Sequence, residues 1–373
     1  MGAAKKVLII GAGPSGLACA EENLTRNWTY DVTIVDKKLK IGENPRCAGG
    51  VGFWMAEKVD VSIPESCIVA RIRRICIYGP DGNCCEFRGD SDYGYILNRE
   101  LFEQDMAKRV EGLGGKFLLG HGVSVEGLKS YHEYDYIVGA DGYPSTVAKW
   151  VGGPEPQAYD VHHCFQKEIL WDWFPKDTIE IYFGSKVAPK GYLWLFQSGE
   201  GKVRAGLGTP LSERANLLGL LDSFLERQVY DYEEINVVSK LIPTARPRAT
   251  NVFLRGKVGF VLVGDAGLFC DPLTGGGIIQ AIASGKAAGR ALAEGKPLKY
   301  DQYINWLRKQ NGRRYRLKKV LYSFSDEDLN ELIQTMKGFT PKTMSIGKEL
   351  RRAVIRLLWR KPSLFKKFFK YLR

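Results

Sequence analysis

The chain has 373 residues, of which 45% are hydrophobic and 26% are charged. This length is sufficient for two or three domains with a sizeable core, and it excludes a short binding peptide or a disulfide-stapled mini-protein. Its 42 glycines are about 11% of the chain against an average of about 7%, which indicates several close approaches of the backbone.

The formal net charge of +12 is concentrated at the C-terminal end. Residues 301–373 carry 19 Lys and Arg against 6 Asp and Glu, whereas the first 300 residues carry 35 against 36. A basic segment is suited to binding nucleic acid, an anionic membrane surface or an acidic partner.

The eight cysteines include no C-x-x-C pair and we find no signal-like segment, so we expect a cytoplasmic protein. No apolar run approaches the roughly 20 residues of a membrane-spanning helix.

The first 36 residues predict a strand, a glycine-rich turn, a helix and a second strand. The strands span 7–10 and 30–35, and the turn contains a G-x-G-x-x-G pattern. Such glycines permit a tight turn, a close approach to a pyrophosphate and packing of the helix on the strand. Asp36 follows the second strand, where a carboxylate accepts hydrogen bonds from a ribose. A purely structural turn is the less favoured alternative. The candidate phosphate-binding residues are Gly11, Gly13, Pro14, Ser15 and Gly16.

Three later segments predict the return of the same domain. They are a helix led by Arg99, a buried strand at 136–139 that ends in an Asp-Gly turn at Asp141, and a second buried strand at 258–263. The last of these leads through Gly264 and Asp265 to three glycines and a helix. We therefore predict an α/β fold with a Rossmann-like nucleotide domain, an α+β domain with a mixed sheet, and a helical tail. The predicted boundaries are 1–66, 97–155 and 255–300 for the first domain, 67–96 and 156–254 for the second, and 301–373 for the basic helical C-terminal region.

The order of these motifs resembles that of the FAD-binding oxidoreductases of the glutathione-reductase and p-hydroxybenzoate-hydroxylase superfamily, over essentially residues 1–300. Within that group, the chain is most similar to the geranylgeranyl reductase family. The similarity lies in Pro-Arg-Cys-Ala-Gly-Gly at 45–50 and in Pro-Lys-Gly-Tyr-Leu-Trp-Leu-Phe at 189–196. Gln197 departs from the second motif, which has proline at that position.

The resemblance implies FAD as the cofactor. The His162-His163 pair has no metal-ligand spacing with carboxylates or cysteines around it, so we predict no metal site and interpret both histidines as surface or core residues. The same resemblance implies that Asp36 binds the adenosine ribose, that Arg99 lies near the pyrophosphate or ribityl chain, and that Asp265 contacts the ribityl or phosphate groups. Asp265 could instead cap a helix, and we interpret Asp141 mainly as turn chemistry with a secondary cofactor contact. The implied flavin-edge residues are Gly275, Gly276, Gly277 and Ile278, and the implied flavin-loop residues are Arg46, Cys47, Ala48 and Gly49.

The resemblance also implies saturation of isolated C=C bonds in geranylgeranyl chains, notably of archaeal-type membrane lipids. Hydride delivery from reduced flavin must then be coupled to protonation of the alkene. We hypothesise that Cys47 supplies or orients this proton, because a thiol with a pKa of about 8.5 is mostly protonated at neutral pH; the alternative is a cysteine that only packs. The electrons come from NAD(P)H or from a reduced protein carrier such as ferredoxin.

Alternation places Tyr192, Trp194 and Phe196 on one face of a strand. The functional interpretation is an aromatic wall that holds a prenyl chain and faces developing positive charge. The alternative interpretation is a sheet core. Two other functions stay open at this point: an aromatic hydroxylase of the p-hydroxybenzoate type, and a prenyl carrier without catalytic activity.

The C-terminal segment predicts a basic amphipathic helix at 349–361, and the pattern resumes after Pro362. Such a composition is typical of helices that lie in a membrane interface, so we predict peripheral membrane docking and no nucleic-acid binding. Packing of this helix on the protein itself is the alternative. The apolar positions are Leu350, Val354, Leu357 and Leu358, followed by Leu364, Phe365, Phe368, Phe369 and Leu372.

Overall fold

A computed structural model describes residues 4–229, 232–337, 346–360 and 364 of the chain. The strands in these ranges are β1 (Lys6–Ile10), β2 (Asp31–Asp36), β3 (Gly50–Gly52), β4 (Ile68–Ile72), β5 (Arg74–Tyr78), β6 (Cys84–Arg88), β7 (Gly94–Leu97), β8 (Lys116–Leu119), β9 (Tyr136–Gly139), β10 (Val161–Leu170), β11 (Thr178–Tyr182), β12 (Tyr192–Gly199), β13 (Lys202–Pro210), β14 (Glu234–Pro243), β15 (Val252–Arg255) and β16 (Val258–Leu262). The helices are α1 (Pro14–Arg26), α2 (Phe53–Val59), α3 (Arg99–Gly112), α4 (Thr146–Trp150), α5 (Leu217–Gln228), α6 (Ile278–Ala293), α7 (Lys299–Tyr303), α8 (Asn305–Leu321), α9 (Asp326–Met336) and α10 (Ile346–Arg360).

The chain divides into two compact units. The first unit comprises Met1–Pro45, Arg99–Gln157 and Pro243–Gly312, and the second comprises Arg46–Asn98, Ala158–Ile242 and Arg313–Arg373. These boundaries differ from the predicted ones by more than a few residues at three places. The segment from Arg46 belongs to the second unit, where β3 pairs with β7, and residues 243–254 belong to the first unit. The predicted tail is divided, because residues 301–312 belong to the first unit and the segment from Arg313 belongs to the second.

The first unit contains a six-stranded sheet in the order β15-β16-β9-β1-β2-β8. All neighbours are parallel except β15 and β16. Val7, Leu8 and Ile9 of β1 have no exposed surface, as expected for a parallel strand covered on both faces. Helices α1 and α6 pack directly on each other: a Cβ at Gly285 would lie 2.2 Å from the Ser15 carbonyl oxygen. The βαβ prediction is therefore confirmed, and glycine lets the two backbones touch.

The second unit contains a seven-stranded sheet in the order β14-β10-β13-β12-β11-β5-β6 and a small antiparallel sheet in the order β3-β7-β4. One face of the large sheet is the core. Leu193 and Leu195 of β12 pack there with Leu207 of β13 and with Leu221 and Phe224 of α5. Alternate residues of the same strands point to the opposite face. That opposite face carries the aromatic residues of the second motif.

Helix α10 packs against α9 in the second unit. Val354 is 1% exposed, Leu357 1% and Leu358 3%, so this side of the predicted amphipathic helix is covered by the protein itself. Leu364 is also buried. The side chain of Leu350 and residues 365–372 lie outside the described residues. Within the described ranges, no helix has both the length and the apolar character needed to cross a bilayer.

Candidate active site

The glycine turn of the first unit joins β1 to α1. Gly11 has a φ of +110°, and a Cβ there would lie 2.3 Å from the carbonyl oxygen of Ala140, so only glycine fits. Gly16 is pressed onto the turn in the same way, because its Cβ would lie 2.0 Å from the carbonyl oxygen of Gly11. Gly13 is the N-cap of α1 and makes no side-chain cap, and nothing lies within 4 Å of where its Cβ would be. The N-terminus of α1 therefore faces open space through which a phosphate could approach.

Asp36 ends β2 beside this turn. Its Oδ2 accepts a hydrogen bond of 2.7 Å from the Ala12 backbone N–H, and its Oδ1 accepts one of 2.9 Å from Lys38 N–H. Each carboxylate oxygen has a second lone pair. Asp36 thus fixes the turn and keeps acceptor capacity for the hydroxyls of a ribose.

The first unit contains a second helix N-terminus. Helix α6 begins after its N-cap residue Gly277, which has no side chain to accept a capping hydrogen bond. A Cβ at Gly277 would lie 3.5 Å from Asp265 Oδ1. Gly264 approaches Ser15 of α1, since its Cβ would lie 2.7 Å from Ser15 Oγ, and its N–H donates to Ser284 Oγ at 2.8 Å. Two positive helix ends beside glycine-lined backbone fit the pyrophosphate and the negatively charged edge of a reduced flavin. The residues of the first unit therefore fit FAD.

Two predicted cofactor residues also have partners within the first unit. Arg99 begins α3, and its Nε donates to Glu103 Oε1 at 2.8 Å. Asp141 Oδ2 accepts from the backbone N–H groups of Thr146 and Val147 at 2.6 and 3.2 Å, and its Oδ1 accepts from Ser145 Oγ at 2.7 Å. Asp141 thus fixes the turn that leads into α4, whose N-cap residue is Ser145, while its contact with the cofactor stays a prediction. The N-cap residue of α6 is Gly277, and the role of Asp265 stays a prediction.

The Cys47 loop, residues 46–49, lies in the second unit. Cys47 is half-buried, and its Sγ accepts a hydrogen bond of 3.3 Å from the Gly49 backbone N–H. The Gly49 carbonyl in turn accepts from Leu97 N–H at 3.0 Å. A Cβ at the next residue, Gly50, would lie 3.0 Å from Phe196 Cε2, so the end of the loop packs on the aromatic strand.

The aromatic strand β12 forms one face with β13 and β10. Across the sheet Tyr192 pairs with Gly208, Trp194 with Gly206 and Phe196 with Arg204. These β13 residues pair in turn with β10, and directly opposed residues share a side of the sheet. The face therefore has three stripes. The aromatic stripe on β12 consists of Tyr192, Trp194 and Phe196, and the glycine stripe on β13 consists of Gly206 and Gly208. The polar stripe on β10 consists of His162, Cys164, Gln166 and Glu168.

Trp194 is held in place from two sides. Its Nε1–H donates to Gln166 Oε1 at 3.3 Å, and a Cβ at Gly206 would lie 2.5 Å from Trp194 Cζ2. The indole therefore occupies the space that a side chain at position 206 would need. Tyr192 and Phe196 are half-buried and Trp194 is buried. The alternation prediction for these three residues holds in the fold, and their contact with a substrate stays a prediction.

The end of the polar stripe is a buried histidine. His162 Nε2 lies 2.5 Å from the hydroxyl of Tyr322, and the ring also bonds the Lys190 backbone. Because Lys190 offers its carbonyl as an acceptor, we assign the Nδ1–H to Lys190 and the Tyr322 O–H as donor to Nε2. Burial lowers the pKa of His162 to about 3, and the charge of Lys318 acts in the same direction. His162 is therefore neutral and fixes the turn that enters β12.

Lys318 is fully buried in the same unit. Its Nζ lies 3.0 Å from Asp160 Oδ1 and 5.1 to 5.5 Å from the ring centroids of Tyr159, Tyr315 and Tyr322. The Asp160 carboxylate also accepts from Tyr315 O–H at 2.9 Å. Such a pairing with aromatic faces compensates for the loss of water around the ammonium group.

Comparison with known proteins identifies the family. The family profile of the geranylgeranyl reductase catalytic domain matches residues 160–243, and that of lycopene cyclase protein matches residues 6–167. The digeranylgeranylglycerophospholipid reductase of Methanosarcina acetivorans is 30% identical over 96% of this chain and 96% of its own length. The chain belongs to the geranylgeranyl reductase family. It is an FAD-dependent oxidoreductase that acts on C=C bonds of prenyl chains.

Solved structures support the fold of this reductase. A geranylgeranyl bacteriochlorophyll reductase-like protein from Thermoplasma acidophilum has a TM-score of 0.85 at 22% identity, over 98% of this chain and 99% of the other. A mutant of the halogenase PltM in complex with FAD has a TM-score of 0.63 at 10% identity, over 89% of this chain and 79% of the other. The mixed α/β fold is thus confirmed, and it is one that holds FAD in other proteins.

Several residues of this reductase's aromatic face were absent from the sequence predictions. They are the glycine stripe, the polar stripe and Arg204, none of which belongs to the two family motifs. The signal for Gly206 and Gly208 is their i, i+2 spacing in a strand, where glycine often marks a close approach of other groups. His162 and its neighbour His163 were assigned only to surface or core. Among the described residues, no His, Cys, Asp and Glu cluster of metal-binding geometry occurs.

Proposed function

We propose that this reductase saturates the isolated double bonds of geranylgeranyl chains in a membrane ether-lipid precursor, with Cys47 beside the reacting alkene. The observation that carries the proposal is the attachment of the Cys47 loop to the aromatic face within the second unit. Gly50 packs on Phe196, and Arg204 donates to the Ala48 carbonyl at 3.2 Å. A thiol and an aromatic wall therefore share one side of the sheet.

The residues of this chain would have separate roles in cofactor binding, substrate binding and proton transfer. The nucleotide end of FAD would be held at the two helix N-termini and at Asp36, and bound reduced FAD supplies a hydride. Tyr192, Trp194 and Phe196 would line the prenyl chain and offer π-density to carbon that becomes electron-poor as the proton arrives. Cys47 would hold the proton close to the alkene, because a thiol carries a transferable proton and can act as a general acid. The aromatic side chains would exclude water from the prenyl chain that lies on them.

The substrate class follows from the relatives. The curated relative from Methanosarcina acetivorans is named for a phospholipid that carries two geranylgeranyl chains. We propose the same class of lipid here, and we propose NAD(P)H or a reduced ferredoxin as the source of electrons. A lipid of this kind is presented at a membrane surface.

The test uses the full chain loaded with FAD, reduced anaerobically with dithionite and given a digeranylgeranyl phospholipid. A gain of two hydrogen atoms per reduced bond, measured by mass spectrometry, supports the proposal. Cys47→Ala should then lower turnover strongly, while Cys84→Ala, a matched change of another half-buried thiol, should leave it intact. Unaltered lipid mass with a reducible flavin contradicts the substrate. Full turnover of Cys47→Ala contradicts the role of Cys47.

We also propose that the exposed side of α10 docks on an anionic membrane. With Val354, Leu357 and Leu358 covered by the protein, docking would use the opposite side of the helix. Trp359 is 78% exposed there and Ile355 40%. The basic residues exposed on the same helix are Arg351, Arg352, Arg356 and Arg360.

Co-sedimentation with anionic liposomes tests the docking proposal. Trp359→Ala should weaken binding because an interfacial tryptophan contributes buried apolar area. Trp173→Ala is the matched control, since Trp173 is 92% exposed outside the C-terminal helices. Equal loss in both variants, or no loss in either, contradicts docking through α10.

A further inference from the structure

The Cys47 loop is attached to the sheet by a side chain distant in sequence. The Ala48 carbonyl accepts a hydrogen bond from Arg204 Nη1, which lies 156 residues further along the chain. The next carbonyl, that of Gly49, accepts from the Leu97 backbone. Cys47 precedes both of these bonds. The position of its thiol therefore depends on what fixes Ala48 and Gly49.

The guanidinium group of Arg204 is itself held by Glu168. Arg204 Nε donates to Glu168 Oε1 at 3.1 Å, and the two residues are directly opposed on β13 and β10. Their side chains are 16% and 20% exposed. A guanidinium is planar and presents its donors in a fixed fork. With one edge fixed by Glu168, Nη1 is aimed at the Ala48 carbonyl.

Gly49 shows how closely the loop fits over this pair. A Cβ there would lie 3.0 Å from Arg204 Nη1 and 2.8 Å from the Leu97 carbonyl oxygen, and its φ of +85° also favours glycine. The guanidinium occupies the space that a larger residue would need. The loop backbone and the Arg204 fork are therefore in direct contact.

We propose that Glu168 and Arg204 are positioning residues: they fix the Cys47 loop against the aromatic strand and so set the place of the Cys47 thiol. The effect on turnover rests on the proposed function of Cys47, whereas the effect on the loop does not. A second ion pair on β10 makes a useful contrast. Lys167 lies on the opposite face of the sheet, where it pairs with Asp222 and Glu234 at 2.7 and 2.8 Å.

The experiment measures alkylation of Cys47 by iodoacetamide in the full FAD-loaded chain, with the labelled peptide quantified by mass spectrometry. The pH-independent rate constant of the thiolate is taken from the pH profile, because this separates accessibility from ionisation. Loss of one hydrogen bond to a charged group raises the population of loop conformations that expose the thiol by about tenfold or more. We therefore expect Arg204→Met and Glu168→Gln to accelerate labelling by about that factor.

Two further variants distinguish positioning from general stability. Lys167→Met removes a comparable ion pair from the same strand, and it should leave the labelling of Cys47 unchanged. Arg204→Lys keeps the charge opposite Glu168 but cannot bridge Glu168 and Ala48 with one planar group, so it should label nearly as fast as Arg204→Met. Wild-type labelling rates in both Arg204→Met and Glu168→Gln would overturn the proposal, as would equal acceleration in Lys167→Met.

The outcome for lipid reduction separates this proposal from the proposed function. Faster labelling together with a lower kcat and an unchanged KM for the lipid supports both. Faster labelling in variants that reduce lipid at the wild-type rate supports the positioning of the loop and contradicts the role of Cys47. Lower turnover with unchanged labelling overturns the positioning role.

Discussion

The buried histidine of the polar stripe makes the stability of this reductase sensitive to acid. Burial lowers the pKa of His162 to about 3, whereas an unfolded histidine titrates at about 6.5. Between these values the unfolded chain binds a proton that the folded chain does not. The stability is therefore fully present above about pH 6.5 and is lost as the pH falls toward 3. From pH 7 to pH 5 this one residue should lower the free energy of unfolding by about 2 kcal/mol.

Urea unfolding at pH 7 and pH 5 tests this reasoning. His162→Gln retains a polar side chain but no titrating group, so its free energy of unfolding should fall by about 2 kcal/mol less over the same interval than that of the wild type. His163→Gln is the matched control, because the adjacent ring bonds Ser239 at an exposed position. If His162→Gln and the wild type show the same pH dependence, His162 is protonated in the folded protein and the assigned hydrogen bonds are wrong.

Three further predictions concern the core and the cofactor. Gly206→Ala should displace the Trp194 indole and cost about 1–3 kcal/mol by overpacking, and a wild-type urea midpoint would contradict this. Lys318→Met should cost about 3–5 kcal/mol because the half-buried Asp160 carboxylate loses its charged partner. Adding Asp160→Asn to that variant should restore part of the loss in the same unfolding assay, and strictly additive losses would contradict the pairing. Asp36→Ala should weaken FAD binding about 10- to 100-fold through the loss of charged hydrogen bonds, as measured by quenching of flavin fluorescence; an unchanged affinity would exclude Asp36 from the cofactor site.

The nucleotide-binding part of the fold could be predicted because its signals are local. Gly11 must have a positive φ, Gly16 must touch the turn, and Asp36 must end the second strand, so each residue type is dictated within one βαβ unit. The aromatic stripe could be predicted equally well, since alternation alone places Tyr192 and Trp194 on one side of a strand.

The polar stripe could not be predicted because both faces of β10 carry polar residues. His162 and Glu168 face the aromatic stripe, while Lys167 on the other face is buried by its ion pairs. Only the pairing with β13 reveals that Glu168 lies opposite Arg204, and that pairing is a long-range property of the sheet.

The amphipathic tail was ambiguous for a related reason. Val354 and Leu357 repeat at a helical spacing, and that spacing is the same whether the apolar side meets lipid or protein. The presence of α9 decides it, because α10 packs there. An amphipathic pattern therefore predicts that the apolar face of a helix is covered, but it does not predict whether lipid or protein covers it.

The pairing of β10 with β13 runs without interruption from His162 opposite Pro210 to Leu170 opposite Lys202. If the register of a strand shifts by one residue, every side chain moves to the opposite face of the sheet. Such a slip would place Lys167 among the aromatic rings and Glu168 in the hydrophobic core. Insertions or deletions within β10 should therefore abolish folding and catalysis together.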